Sequence, residues 1–500
     1  MYLLDEYPLL TKTLLWGTGL YVFRTVFSLY TSSRRQPGLP PGPPTAPFVG
    51  NAHIFPREQL QYKFTEWARQ YGDIFSLKVM HMTIIVLNTP TAIKEIIDKR
   101  GASSSNRPPS FIADIVTPDN LNLGSGRYAN QTWKTLRKAA VQMLHPENMR
   151  KFKALERAEA AQLMWEMSTK PEAFYYDICR FTTSFFMSVI YGIRAPRATC
   201  YAALEFTETQ EDFVAFMEVG KAPPVDIFPI LNWVPKRFSG WKTHAHDLRR
   251  RQESLFHYLL DRNNGCFMEE AYTHAEEWGL TPPQVLHLGG ALLEGSDTSA
   301  SVIQGFHPRL ECLPDVQRRA QEEMDAIKLP YMQAILEEYL RFRPIAPLTL
   351  PHCMSEDETY NGIAFPQRCD NIHQSLYVLI RLAGAIMHDE KYYEEPDKFN
   401  PDRFLKTPFG TRPEVEDDPA RRDNLTFGGG RRICPGAFSG RAIVNGISLA
   451  PLPFKTTIEV RSEKKREIIR RHFLAQTPLF ERFEQDLEPE DAEYVRSTGA

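Results

Sequence analysis

The stretch FGGGRRICPG, residues 427–436, sets Cys434 behind three glycines and two arginines. A thiolate, not a thiol, binds a metal, so a working cysteine needs its pKa lowered. Backbone N–H groups of a glycine loop, with a helix starting just beyond, supply a positive field without bulky side chains. Glycine also lets the backbone approach a flat ligand closely. The plain alternative is a buried cysteine in a glycine-rich turn. Other patterns are weaker alone. Glu338 and Arg341 in EEYLRF stand at i,i+3, usually a solvated pair on a surface helix. Asp297 and Thr298 in GGALLEGSDTSAS (289–301) are an acid and a hydroxyl able to relay a proton, or a helix cap. Trp133 and Arg137 in WKTLR share a helix face, as a ligand-binding pair or a packing pair. His352 in LPHCM is a ligand contact or a satisfied loop residue.

Taken together, these motifs resemble the cytochrome P-450 family, in wording closest to fungal microsomal members. Phe427, Gly430, Arg432, Cys434 and Gly436 match its haem-thiolate pattern F-x-x-G-x-R-x-C-x-G in full. The family's E-x-x-R, here Glu338 and Arg341, is completed by Arg403 in FNPDRF. Gly295, Asp297, Thr298 and Ser299 match its oxygen-binding I helix, with Glu294 where alanine or glycine is usual. The resemblance implies haem b (iron protoporphyrin IX), with Cys434 as axial iron ligand and Arg432, Trp133, Arg137 and His352 toward the propionates. It implies catalytic roles for Asp297 and Thr298, and a structural cluster of Glu338, Arg341 and Arg403. Thiolate ligation favours O–O cleavage. The implied reaction inserts one oxygen atom from O2 into an apolar small molecule, a fungal secondary-metabolite intermediate. Electrons would come from an NADPH-cytochrome P-450 reductase, met by Lys134, Lys138, Arg421 and Arg422. Segments 110–124 and 206–219 would line the substrate. A relic chain without turnover, or a haem-thiolate isomerase or dehydratase, would carry the same motifs.

The elements that must position these residues read as a mainly α chain with a smaller β part, the P-450 fold. With 500 residues, 42% of them hydrophobic, the chain can bury a large core. A net charge of −3 gives no reason to expect a nucleic-acid partner. Seven scattered cysteines without a C-x-x-C pair argue against a disulfide framework or zinc site and fit a reducing compartment. Segments 74–79 and 83–87 read as a hairpin. Helical periodicity dominates from about 130 to 345, including one long pattern through 283–304. The carboxy-terminal third reads as short strands and long loops.

Residues 14–30, LLWGTGLYVFRTVFSLY, are apolar except for Arg24 and small polar groups. An arginine at mid-bilayer costs about 2.5–3.5 kcal/mol unless it snorkels. Arg34 and Arg35 follow, favouring a cytosolic globule. The expectation is therefore a membrane anchor at 1–31, a proline-rich hinge at 32–47 and a catalytic domain at 48–500. That domain would be cytosolic, held by one span in the endoplasmic reticulum membrane, with lipid as a partner. The sequons at Asn130 and Asn424 would then never be glycosylated. Four segments depart from the family pattern: 307–311, 326–330, 368–384 and 437–453. Pro308 inside a helix costs about 3 kcal/mol. The pattern resumes cleanly on each side, which favours retained introns and misjoined exons over true divergence.

Overall fold

Residues rich in β-branched side chains pack well on a pleated surface, and Ile74–Val79 (β1) and Met82–Leu87 (β2) pair antiparallel from Ile74↔Leu87 to Val79↔Met82. The computed structural model describes residues 8–217, 222–326, 329–367, 377–415, 425–438, 454 and 456–498. Glu358–Tyr360 (β3) and Ile363–Phe365 (β4) form a second small hairpin. Tyr377–Arg381 (β5) runs parallel to β2, from Thr83↔Tyr377 to Leu87↔Arg381, and is buried along its whole length. Within the departing segment 368–384, residues 377–381 are a core strand, while 368–376 lie outside the described residues. The run YVLIR, apolar up to its last residue, suits a strand covered on both faces.

The described helices that frame the site are Pro8–Ser32 (α1), Phe111–Val116 (α2), Gln131–Met143 (α3), Lys153–Thr169 (α4), Phe174–Tyr191 (α5), Tyr201–Met217 (α6), Gly240–Asp261 (α7), Pro282–Leu293 (α8), Gly295–Glu311 (α9), Pro314–Asp325 (α10) and Pro330–Phe342 (α11). The main core joins α3, α5 and α8 through Leu136, Ala140, Ile190, Tyr191, Val285 and Leu288. Gly289 and Gly290 are packing glycines there. A Cβ would stand 2.4 Å from the Tyr191 hydroxyl at the first and 2.3 Å from the Phe256 ring at the second.

The expected long helix through 283–304 is divided at Glu294 into α8 and α9 by a one-residue irregularity: Glu294 keeps a helical backbone (φ −53°, ψ −23°) and its N–H donates to Gly290 O at 3.1 Å. The α9 backbone continues past Pro308, so that residue does not end the helix. The short link between α10 and α11 is closed by Glu323, whose carboxylate accepts from the Tyr331 and Met332 N–H groups at 2.9 and 2.8 Å. These are the orphan donors of a helix start, here satisfied by a side chain of the preceding helix. Residues 439–453, where a shortened helix was expected, lie outside the described residues.

The expected anchor is not supported. Pro8–Ser32 is helical, but no helix among the described residues is long and apolar enough to cross a membrane. Lys12, Arg24 and interspersed threonines, serines and glycines dilute its hydropathy. The assignment to the endoplasmic reticulum membrane, and lipid as a partner, lose their basis with it. The proline-rich stretch lies along β1: Ser76 N–H donates to Pro41 O at 2.7 Å and Ser76 Oγ to Pro40 O at 2.6 Å. Arg35 Nη1 donates to Gly42 O at 3.1 Å. Cys353 is disulfide-bonded, with its partner outside the described residues; scattered cysteines argue against a framework of bridges, not against an isolated one.

Candidate functional site

The glycine loop closes on itself around the thiol. Cys434 N–H donates to Phe427 O at 2.8 Å, and Gly430–Arg432 forms a single 3-10 turn inside the loop. Gly428 and Gly430 take φ of +84° and +56°, the left-handed region that suits glycine. A Cβ on Gly430 would stand 2.3 Å from Ile97 O, and Gly430 N–H donates to the Asp98 carboxylate at 2.7 Å. Cys434 is buried in one apolar cluster with Phe427, Val302 of α9 and Ile335 of α11. Gly436 lies just beyond, in the 3-10 turn Pro435–Phe438.

Positive charge gathers beside it. Arg432 donates through Nε to Ser105 O at 2.8 Å and through Nη2 to Gly126 O at 2.6 Å, and its guanidinium lies 3.7 Å over the Trp133 ring. Arg137 reaches the Ile433 carbonyl. Arg107 donates to Gly124 O and Leu350 O, each at 2.9 Å. Burial, with Arg107 and Arg137 close by, pushes the Arg432 pKa down to about 8. Burial, with Arg381 and Arg137 nearby, pushes that of Arg107 down to about 9. His352 sits among them with Nδ1 donating to Ser104 O at 2.9 Å, and burial holds its pKa well below the usual imidazole range. The buried Nη1 of Arg432 and Nε2 of His352 have no protein partner among the described residues.

On the next layer, Glu338 accepts from Arg341 at 2.7 and 2.9 Å and pairs with Arg403 at 3.1 Å, all three buried. Arg341 also donates to Met387 O at 2.6 Å and Pro396 O at 2.9 Å, and Glu338 accepts from Asn400 N–H at 2.7 Å. The cluster ties α11 to the loop that leads toward the thiol. Across the site, Thr298 Oγ1 donates to Gly295 O at 3.0 Å, just past the break at Glu294. Burial, and secondarily Glu211 on α6, push the Asp297 carboxyl up to about 6.

The family model for cytochrome P-450 matches residues 40–443. A cytochrome P-450 monooxygenase of Armillaria gallica is 32% identical across 97% of this chain and 100% of its own length. The monooxygenase atE of Aspergillus terreus is 33% identical over 84% of this chain and 82% of its own, and yanC of Aspergillus niger is 33% identical over the same shares. The chain belongs to the cytochrome P-450 family. Membership makes haem b its cofactor and haem-thiolate monooxygenase its enzyme class.

The residues fit a haem. A dianionic macrocycle needs cations at its edge; Arg107, Arg137, Arg381 and Arg432 gather here around the neutral His352, and Arg432 Nη1 and His352 Nε2 are buried without a protein partner among the described residues. The structure brings together Phe427, Gly430, Arg432, Cys434, Arg137 and His352. Trp133 stays in the group through its contact with Arg432, but its indole N–H donates to Leu123 O at 2.9 Å. Arg107 and Arg381 were missed. Arg107 is one basic residue in NRPPS, with no motif around it. The signal for Arg381 was a lone charge ending a wholly apolar strand, in a segment set aside as aberrant. Lys134 and Lys138 are exposed on α3, and Arg421 and Arg422 lie outside the described residues.

Proposed function

We propose that Cys434 is the axial ligand of haem iron in a monooxygenase acting on an apolar small molecule of fungal secondary metabolism. The observation that carries this reading is the buried Cys434 held by its own glycine loop beside a group of buried cations. Bound haem supplies the iron at which O2 is reduced and one oxygen atom is passed to the substrate. Arg432, Arg107, Arg137 and His352 would hold its propionates, and two backbone carbonyls pin Arg432 in place. Two carboxylates beside His352 favour its charged form, which then donates from both ring nitrogens. Asp297 titrates near neutrality and holds the proton that Thr298 passes on. Glu338, Arg341 and Arg403 hold α11 in place and touch no substrate.

Electrons enter at the face where Lys134 and Lys138 project from α3, with the exposed Arg431 beside them against Tyr128. An acidic reductase surface suits it. The catalytic domain on this reading spans 48–500, with 32–47 laid along β1. The test is the absorption spectrum of the reduced, CO-bound chain. The expected result is a red-shifted thiolate-type Soret band that disappears in Cys434→Ser, with NADPH consumption coupled to an oxygenated product when reductase is added. A band typical of neutral thiol, or none, overturns the reading. A thiolate band without NADPH-dependent product points to an isomerase or dehydratase.

A further inference from the structure

Glu294 departs from the small residue expected at its position, and it interrupts the helix at α8–α9. It borders a small, partly open cavity with Thr117, Leu121, Asn122, Gln252, Phe256, His287 and Ala291. The space suits about one water-sized group. Gln252 and His287 are only 7% and 6% exposed. Gln252 and Glu294 both present their side chains to the cavity wall. Asn122 Oδ1 accepts from the Gly124 and Ser125 N–H groups at 2.9 and 2.8 Å, so its NH2 group is the donor it can offer the cavity it lines. Interior polar groups are nearly always satisfied, so this convergence points to a partner that is not protein.

The partner's chemistry follows from the wall. No lysine or arginine lines the cavity, so it offers nothing to an anion. Burial, with Asp297 nearby, pushes the Glu294 carboxyl up to about 8, so at neutral pH it is an uncharged donor and not a counter-ion for an amine. Burial lowers the His287 pKa as well, against the opposing pull of Glu253 at 3.9 Å. If the 110–124 segment lines the substrate, as the family resemblance implies, the cavity borders it through Thr117, Leu121 and Asn122, and Glu294 precedes Asp297 by less than one helical turn.

We propose that Glu294, Gln252 and Asn122 form a polar notch in the substrate pocket, which takes a hydroxyl or carbonyl oxygen of an otherwise apolar substrate. Glu294 then fixes orientation as a specificity-determining residue: the oxygen anchored in the notch decides which carbon faces the iron. This rests on the monooxygenase reading.

The probes are two isosteric pairs, 1-naphthol with 1-methylnaphthalene and 2-naphthol with 2-methylnaphthalene. Dissociation constants are read from the Soret shift of the full-length, haem-loaded protein. The quantity of interest is the naphthol-to-methylnaphthalene ratio, and how substitution changes it. In Glu294→Leu the ratio moves about tenfold against naphthol in at least one pair, the value of one lost hydrogen bond. Glu294→Gln, which keeps a donor, stays within about threefold of the parent. Gln252→Met moves the ratio in the same direction and serves where Glu294→Leu does not fold. Unchanged ratios in both Glu294→Leu and Gln252→Met overturn the proposal. A parent protein without the thiolate-type CO band would instead sink the monooxygenase reading.

Discussion

The two sides of the haem site handle polar groups in opposite ways. Behind the thiol, donors are committed to backbone carbonyls: Arg107 to Gly124 and Leu350, Arg432 to Ser105 and Gly126, Arg341 to Met387 and Pro396. Those carbonyls come from distant parts of the chain, so the cation positions are set by the fold. In front of it, Thr298 bonds only within its own helix, and Glu294 and Gln252 face a cavity. A cofactor common to a family can be met by a prebuilt frame. A substrate particular to one enzyme is met by groups that wait for it.

Substitutions can break this contrast. Glu338→Ala leaves Arg341 and Arg403 buried without their carboxylate and is expected to cost about 3–5 kcal/mol. Denaturant unfolding, with haem content followed in parallel, reads the loss. A cost near zero would show that the frame behind the thiol is not held by this cluster. Asp297→Asn is expected to lower turnover about 100-fold while haem content and the CO band stay as in the parent. Equal loss of haem would instead make Asp297 part of the frame.

Glu294→Gln carries a pH signature. The carboxyl titrates near 8 in the folded chain against an ordinary 4.5, so the folded state keeps a proton that the unfolded state releases. Stability therefore falls as pH rises from 4.5 to about 8, by at most about 1.4 kcal/mol per pH unit. Asp297 acts in the same direction over a lower range, up to about 6. Glutamine removes the Glu294 contribution, so the stability gap between variant and parent widens through that window and levels off above it. Thermal unfolding at a series of pH values measures it; a gap independent of pH would mean that Glu294 is solvated.

The motifs behind the thiol were legible because each is a fixed spacing of chemically distinctive residues: the glycine loop, Glu338 with Arg341 and Arg403, and Trp133 with Arg137. The β1–β2 hairpin was equally plain from its β-branched runs. What sequence hid was long-range. Nothing near Arg107 or Arg381 says that their side chains converge on the same buried volume. The break at Glu294 was hidden too, since helical periodicity runs straight through it. The anchor was misjudged because a 17-residue apolar stretch was weighed without the charge and small polar residues of the helix around it.

The pairing of β2 with β5 has a consequence for assembly. Thr83 meets Tyr377, so the strand that brings Arg381 to the site is made long after its partner. Each doubling of a closed loop costs about 0.6 kcal/mol in chain entropy, and contacts so far apart in sequence form slowly. On the ribosome, the amino-terminal hairpin therefore waits with one sheet edge open. The cofactor pocket is completed only when the last third of the chain arrives, which makes haem capture a late step in biosynthesis.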